Sequence, residues 1–237
     1  MEHTRLVRLL PSRALKEKRL LALRGGRDER DPLLREAVED AQVVGSLGLA
    51  GVEASAAEVR AARRGEEAPP AVRGLLAALG AVEAGAPFDV GALRRWHAAL
   101  LGGGGQLRQS DRARAGGPPP APAAFVASRL EILQHWLQVE SSRELSPAQA
   151  GALVLARVVE IAPFDDGNGR VARLAASHLM VRAGARPPVL TAGDQARSAQ
   201  ALAAAFQLHT EPLAALLDEA SERCLDVMIQ ALEREIP

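Results

Sequence analysis

Tyrosine is absent from the chain, cysteine occurs once, and only two of the 29 basic residues are lysine, Lys16 and Lys18. A single cysteine excludes an internal disulfide framework and a cysteine-based metal site. Cys224 itself sits in the helical pattern ERCLDVMIQAL and reads as a small buried hydrophobe. The preference for Arg, together with abundant Ala, reads as drift in genomic base composition. Net charge is also lacking: 29 basic residues balance 29 acidic ones, which leaves no electrostatic footprint for nucleic acid or an anionic membrane. No apolar run approaches the roughly 20 residues that a membrane span needs. The best candidate, AGALVLARVVEI, is short and carries Arg157 and Glu160. At the start, Arg5, Arg8 and Pro11 interrupt what would have to be a secretory core, so a cytoplasmic location is the expectation.

Alternation of β-branched and polar residues is nearly missing too, and Ala- and Leu-rich segments with helical periodicity take its place. The expected fold class is all-α, with one short β-hairpin at most. Asp31-Pro32 is a cap and first-turn pair for a helix through REAVEDAQVVGSLG, and Ser55 lies near the start of another in VEASAAEVRAARRG. Two more helical segments follow in AVRGLLAALGAVEAG and DVGALRRWHAALL, and then one long irregular stretch, GGGGQLRQSDRARAGGPPPAPAAF, rich in Gly, Pro and Arg. Helix resumes over 130–139. Ser146-Pro147-Ala148-Gln149 has the form of a capping box, and the helix it opens, LVLARVVEI, is apolar nearly all round, as a central buried helix is. A further helix is expected from about 170 to 183, ending at Gly184, with two more to the C-terminus.

Between the central helix and its successor lies FDDGNGR, Phe164 to Arg170. Gly167 and Gly169 let backbone amides approach a ligand, and Asn168 tolerates the left-handed conformations such a loop demands. At a helix start those amides and the helix dipole favour an anion. Arg170 and Arg173 stand three apart on the new helix, hence on one face, and can both reach phosphate oxygens. Asp166 offers one hard oxygen, which suits Mg²⁺ shared with phosphates and water. An EF-hand is excluded, because the positions that would need its first and last acids hold Phe164 and Ala175. A P-loop is excluded because neither lysine lies in a Gly-rich loop. Taken alone, DGNG also fits a plain helix-capping turn with surface arginines. Histidines elsewhere read mostly as structural: His97, His135 and His178 lie in helical patterns, and His3 and His209 have no site around them.

The longer stretch APFDDGNGRVAR, Ala162 to Arg173, resembles the active-site motif of the Fic (filamentation induced by cAMP) family, His-Pro-Phe-x-Asp/Glu-Gly-Asn-Gly-Arg-x-x-Arg. Every defining position matches except the first. RRWHAALL resembles the family helix with a Leu-His-Arg signature, GQLRQSDRARAGG the start of its target-docking flap, and LTAGDQARSAQALAAA the segment after the motif helix, without its usual Tyr. GSLGLAGVEASAAEV resembles an autoinhibitory helix with Ser/Thr-x-x-x-Glu-Gly: Ser46 and Gly51 match, and Ala50 stands where the Glu belongs.

The resemblance implies a helical domain with a short β-hairpin flap, an N-terminal segment over 1–66 and a core over 67–237. It further implies transfer of AMP from ATP to a Ser, Thr or Tyr hydroxyl of a target protein. On this reading Asp166 holds Mg²⁺ on the α- and β-phosphates, Gly167, Asn168 and Gly169 form the anion hole, and Arg170 and Arg173 bind the β/γ end of the nucleotide. Phe164 anchors the loop, and Arg108 with the following flap positions a target strand. The implied partners are a nucleotide and a protein target, with a homodimer allowed for and neither nucleic acid nor membrane.

Ala162 occupies the place of the family's general base. A methyl group takes no proton, and losing such a base typically lowers a rate by ~10²–10⁴-fold. Nearby substitutes are few: Asp166 is committed to metal, and Asp165 is expected to project away. The chain is therefore expected to be inactive or strongly impaired. Two accounts fit Ala162 and Ala50 together, a deliberate double replacement and a natural pseudoenzyme retaining the phosphate clamp.

Overall fold

The computed structural model describes residues 3–29, 31–83, 85–114, 118–139 and 144–235, with side chains from residue 12 onward. Among these residues there are ten α-helices and no strand. They are α1 (His3–Leu23), α2 (Pro32–Gly48), α3 (Ala56–Arg63), α4 (Pro70–Gly80), α5 (Val90–Leu101), α6 (Val126–Trp136), α7 (Pro147–Ile161), α8 (Asn168–Arg182), α9 (Gln195–Ala205) and α10 (Glu211–Glu233). Local chemistry sets several of the starts. Asp31 caps α2 by accepting from the Leu33 amide at 3.0 Å, and Asp89 caps α5 through the Ala92 amide. Ser55–Glu58 and Ser146–Gln149 form reciprocal capping boxes on α3 and α7.

Helix α7 is the axis of the fold. Val154, Val158 and Ala152 are fully buried, and the helix packs against α6, α8, α9 and α10. Burying each such Val side chain contributes about 1.5–3 kcal/mol against leaving it in water. The α7–α8 pair is the most extensive helix contact, which places the loop between them, 162–167, against the main core. That core also takes in Val43, Leu47 and Val59 from α2 and α3. A smaller apolar cluster joins α1, α2 and α10 through Leu20, Leu34, Val38, Leu225 and Met228. Cys224 belongs to it, unpaired and buried, and burial pushes its thiol up to about 12.

One glycine decides how closely α2 approaches. A Cβ on Gly45 would lie 1.6 Å from the Leu190 carbonyl oxygen, so no other residue fits there. Gln42 reinforces the contact by donating to Ser177 Oγ and to the Pro188 carbonyl, each at 3.2 Å. The C-terminal end of α2 is thereby fixed beside α8.

Two expectations are corrected. Helices α6 and α8 begin at Val126 and Asn168, earlier than the pattern indicates. The β-hairpin flap is not formed among the described residues, and 115–117, within that expected hairpin, lie outside them. The reason lies in the backbone donors. Arg108 N–H is spent on the Pro163 carbonyl at 2.9 Å and Ala121 N–H on Glu160 at 3.3 Å, while Pro118, Pro119, Pro120 and Pro122 have no N–H to offer a ladder. No helix among the described residues is long and apolar enough to cross a membrane.

Candidate functional site

Helix α7 ends at Ala162, whose backbone is left-handed (φ 46°, ψ 65°) and whose amide donates to Val158 at 2.9 Å. That conformation costs an L-residue other than Gly about 1–2 kcal/mol, so the turn is held by what surrounds it. Phe164 is fully buried and stacks on His97 of α5, centroids 3.8 Å apart and planes within 7°. Asn168 closes the loop from both sides, accepting from the Phe164 amide at 2.9 Å and donating to its carbonyl at 2.7 Å. The carbonyl of Asp166 lies 3.1 Å from His97 Nε2, which donates to it in the neutral ring, and burial holds the His97 pKa below its ordinary value. His97 thus positions the loop, in line with the structural role expected of it. Gly167 has φ 75°, and a Cβ there would meet Leu100 Cδ2 at 3.0 Å.

The start of α8 differs from those of α2, α3, α5 and α7 in having no side-chain cap. The amides of Asn168, Gly169 and Arg170 have no partner among the described residues, so three of the orphan donors of a helix N-terminus remain open. Arg170 Nη2 pairs with Asp166 Oδ2 at 2.9 Å. Arg173 donates to Ser46 of α2 twice, Nε to Oγ at 2.8 Å and Nη2 to the carbonyl at 2.7 Å. Burial, with a smaller contribution from the charge of Arg170, pulls the Arg173 pKa down to about 10.

These groups face one cavity of about 560 Å³. Ala162, Asp166, Gly167, Asn168, Gly169, Arg170 and Arg173 all line it, and so does Ala50 with its neighbours Leu49 and Val52. The sequence-derived site is thus brought together, including the two alanines that stand where acid–base and inhibitory side chains were expected. Ser46 reaches the site through Arg173, while Gly51, in a left-handed turn at φ 73°, shapes the chain after α2. Asp165 is exposed and contributes to the cavity lining.

The flap arginines hold a second layer. Arg108 is buried and gives its donors to the carbonyls of Ala162 (2.7 Å), Ile161 (3.2 Å), Ser110 (2.8 Å) and Ala121. Its contacts are inward, onto the end of α7. Arg114 donates to Val159 and Glu160 and lies 5.0 Å over the Phe206 ring. Arg112, Arg114, Pro120 and Val159 also line the cavity. Sequence reasoning missed them, and the only signal present was the clustering of arginine in DRARAGG. His135 and His209 are exposed and outside this cavity, and His178 is buried against Trp96. His3 lies outside the residues whose side chains are described.

Residues 87–180 match the Fic/DOC family. Protein adenylyltransferase Fic of Drosophila grimshawi is 31% identical over 137 residues, 56% of this chain and 28% of its own length, so this chain spans well under half of the curated relatives it matches. Among solved structures, a Fic domain-containing signalling protein from Bacteroides thetaiotaomicron is similar with a TM-score of 0.79 at 19% identity, covering 95% of this chain and 99% of that one. Fic-1 from C. elegans gives 0.76 at 22% identity, covering 98% and 76%. The fold is that of the Fic proteins, an all-helical domain built around a loop between two central helices. The segment 87–180 belongs to the Fic/DOC family.

Proposed function

We propose that the cavity holds the phosphates of ATP, and that the scaffold, given a base at position 162, transfers AMP from ATP to a Ser, Thr or Tyr hydroxyl of a protein. With Ala162 this chain binds the nucleotide and leaves it essentially unturned. The observation that carries the reading is the uncapped start of α8, whose first residues, Asn168 to Arg170, line the same cavity as Arg173. Backbone donors and two guanidiniums around one space suit an oligophosphate. The name of the Drosophila grimshawi relative, an adenylyltransferase, supports the nature of the transfer.

The Mg²⁺ expected with ATP is tested by the donor set. No group of three or more His, Cys, Asp or Glu side chains that could cage an ion occurs among the described residues. Asp166 is 73% exposed at the cavity wall, with one carboxylate oxygen on Arg170 and the other unengaged. A single hard oxygen fits Mg²⁺ completed by phosphate oxygens and water, and would not fit an all-protein site. Bound there, the ion would neutralise phosphate charge. The chain's own residues do the rest: Gly167–Arg170 amides and Arg173 orient the phosphates, and Asn168 and His97 keep the loop in place.

In the transfer a target hydroxyl oxygen bonds to the α-phosphorus, the bond to the bridging β-oxygen breaks, and pyrophosphate leaves. The hydroxyl proton needs an acceptor, and the Ala162 methyl is none. In this reading the core over 67–237 carries the loop and flap, and the segment 1–66 supplies the end of α2 that covers Arg173. A second reading, a natural pseudoenzyme acting as a nucleotide-binding regulator, draws on Ala162 and Ala50 lying in one cavity wall. Calorimetry with ATP and Mg²⁺ tests the binding common to both. Binding that weakens by about tenfold or more in Arg173→Ala is expected from losing a charged hydrogen-bond donor. The absence of binding by ATP and ADP alike would sink both readings.

A further inference from the structure

The flap brings three arginines toward the cavity, and they are not equivalent. Arg108 is buried, with its donors spent on carbonyls. Arg114 is tied to the last turn of α7 and to the Pro118 carbonyl at 3.3 Å, and covers Phe206. Arg112 is exposed and lines the cavity beside Arg170 and Arg173. Among the described residues its one hydrogen bond is a long one, Nη1 to the Phe164 carbonyl at 3.5 Å, and that carbonyl already accepts from Asn168 at 2.7 Å. A guanidinium carries five N–H donors, so most of those on Arg112 are unspent.

The charges around the space point the same way. Four arginines and two aspartates line the cavity, although the whole chain is balanced at 29 against 29. Asp166 is engaged by Arg170, and neither it nor Asp165 pairs with Arg112. This surplus of guanidinium at the start of α8 lacks an anionic counterpart with several oxygens.

We infer that Arg112 is a further phosphate ligand of this site, reaching from the flap to the oligophosphate that the α8 amides, Arg170 and Arg173 hold; this rests on the nucleotide reading above. A planar fork can take two phosphate oxygens at once, which a merely solvated flap arginine would not do. The arrangement favours a nucleoside di- or triphosphate over a ligand with little negative charge.

Calorimetry of the full chain with ADP and Mg²⁺, at low and high salt, decides it. Arg112→Ala is expected to weaken ADP by about tenfold or more and to make the remaining affinity less sensitive to salt. Arg112→Lys is expected to recover part of the loss, because charge returns without the fork. Since Arg112 is exposed, both variants should keep the helical circular dichroism of the unaltered chain. ADP affinity unchanged by Arg112→Ala would overturn this inference alone, as would a loss that Lys does not relieve and that leaves the salt dependence intact. Failure of ADP to bind the unaltered chain would overturn the nucleotide reading and this inference with it.

Discussion

Residue 162 works from a left-handed backbone, and His is several-fold more at home there than most non-Gly residues. Ala pays the conformational cost and returns no chemistry. The neighbouring side chains show the same division between holding and reacting: Phe164, His97 and Asn168 are occupied with one another, whereas the amides of 168–170 are open. Buried His178 allows a pH test of the scaffold. Burial, and then the charge of Arg182, holds its folded pKa below the ordinary value of about 6.5. Below that value the unfolded chain takes up a proton that the folded chain refuses, so stability falls as pH drops from about 6.5 toward the lower folded value. Urea unfolding at about pH 7.5 and about pH 5.5 should show this loss, and His178→Gln should lessen it; an unchanged pH dependence would remove His178 from the account. At this scale much was legible. Gly167, Asn168, Arg170 and Arg173 carry their chemistry in their spacing.

At the scale of elements, the end of α7 explains why the flap is irregular. The last carbonyls of a helix have no partner within it, and here Arg108 and Arg114 supply donors where cations also suit the helix dipole. Arg108→Ala should cost at least about 3 kcal/mol in denaturant unfolding, since several buried carbonyls lose a charged donor together. A loss below about 1 kcal/mol would mean that water replaces the clamp. The capped starts of α2, α3 and α7 were readable from Asp31-Pro32, Ser55 and Ser146 with Gln149. Helix α1 was not, because its apolar positions become a face only against α10, where Leu20 joins Leu225 and Met228. The hairpin was expected from the helical tally and from the resemblance alike, and the local prolines override it among the described residues.

For the whole molecule, the cavity is assembled from segments far apart in the chain: 49–52 after α2, the flap, the end of α7 and the start of α8. The APFDDGNGRVAR motif spans only the last two of these. The approach of α2 depends on Gly45 meeting the Leu190 backbone, a contact that no local pattern announces. Ala50 from the segment after α2 lines this cavity, and Ser46 of α2 accepts from Arg173 at its edge. The central claim is that an intact phosphate clamp here lacks only its base. The most direct test is transfer from ATP radiolabelled at the α-phosphorus, with Mg²⁺ and lysate proteins, comparing the unaltered chain with Ala162→His. The account predicts label on protein hydroxyls with Ala162→His, at ~10²–10⁴-fold or more above the unaltered chain. Equal background from both, with ATP shown to be bound, would contradict it.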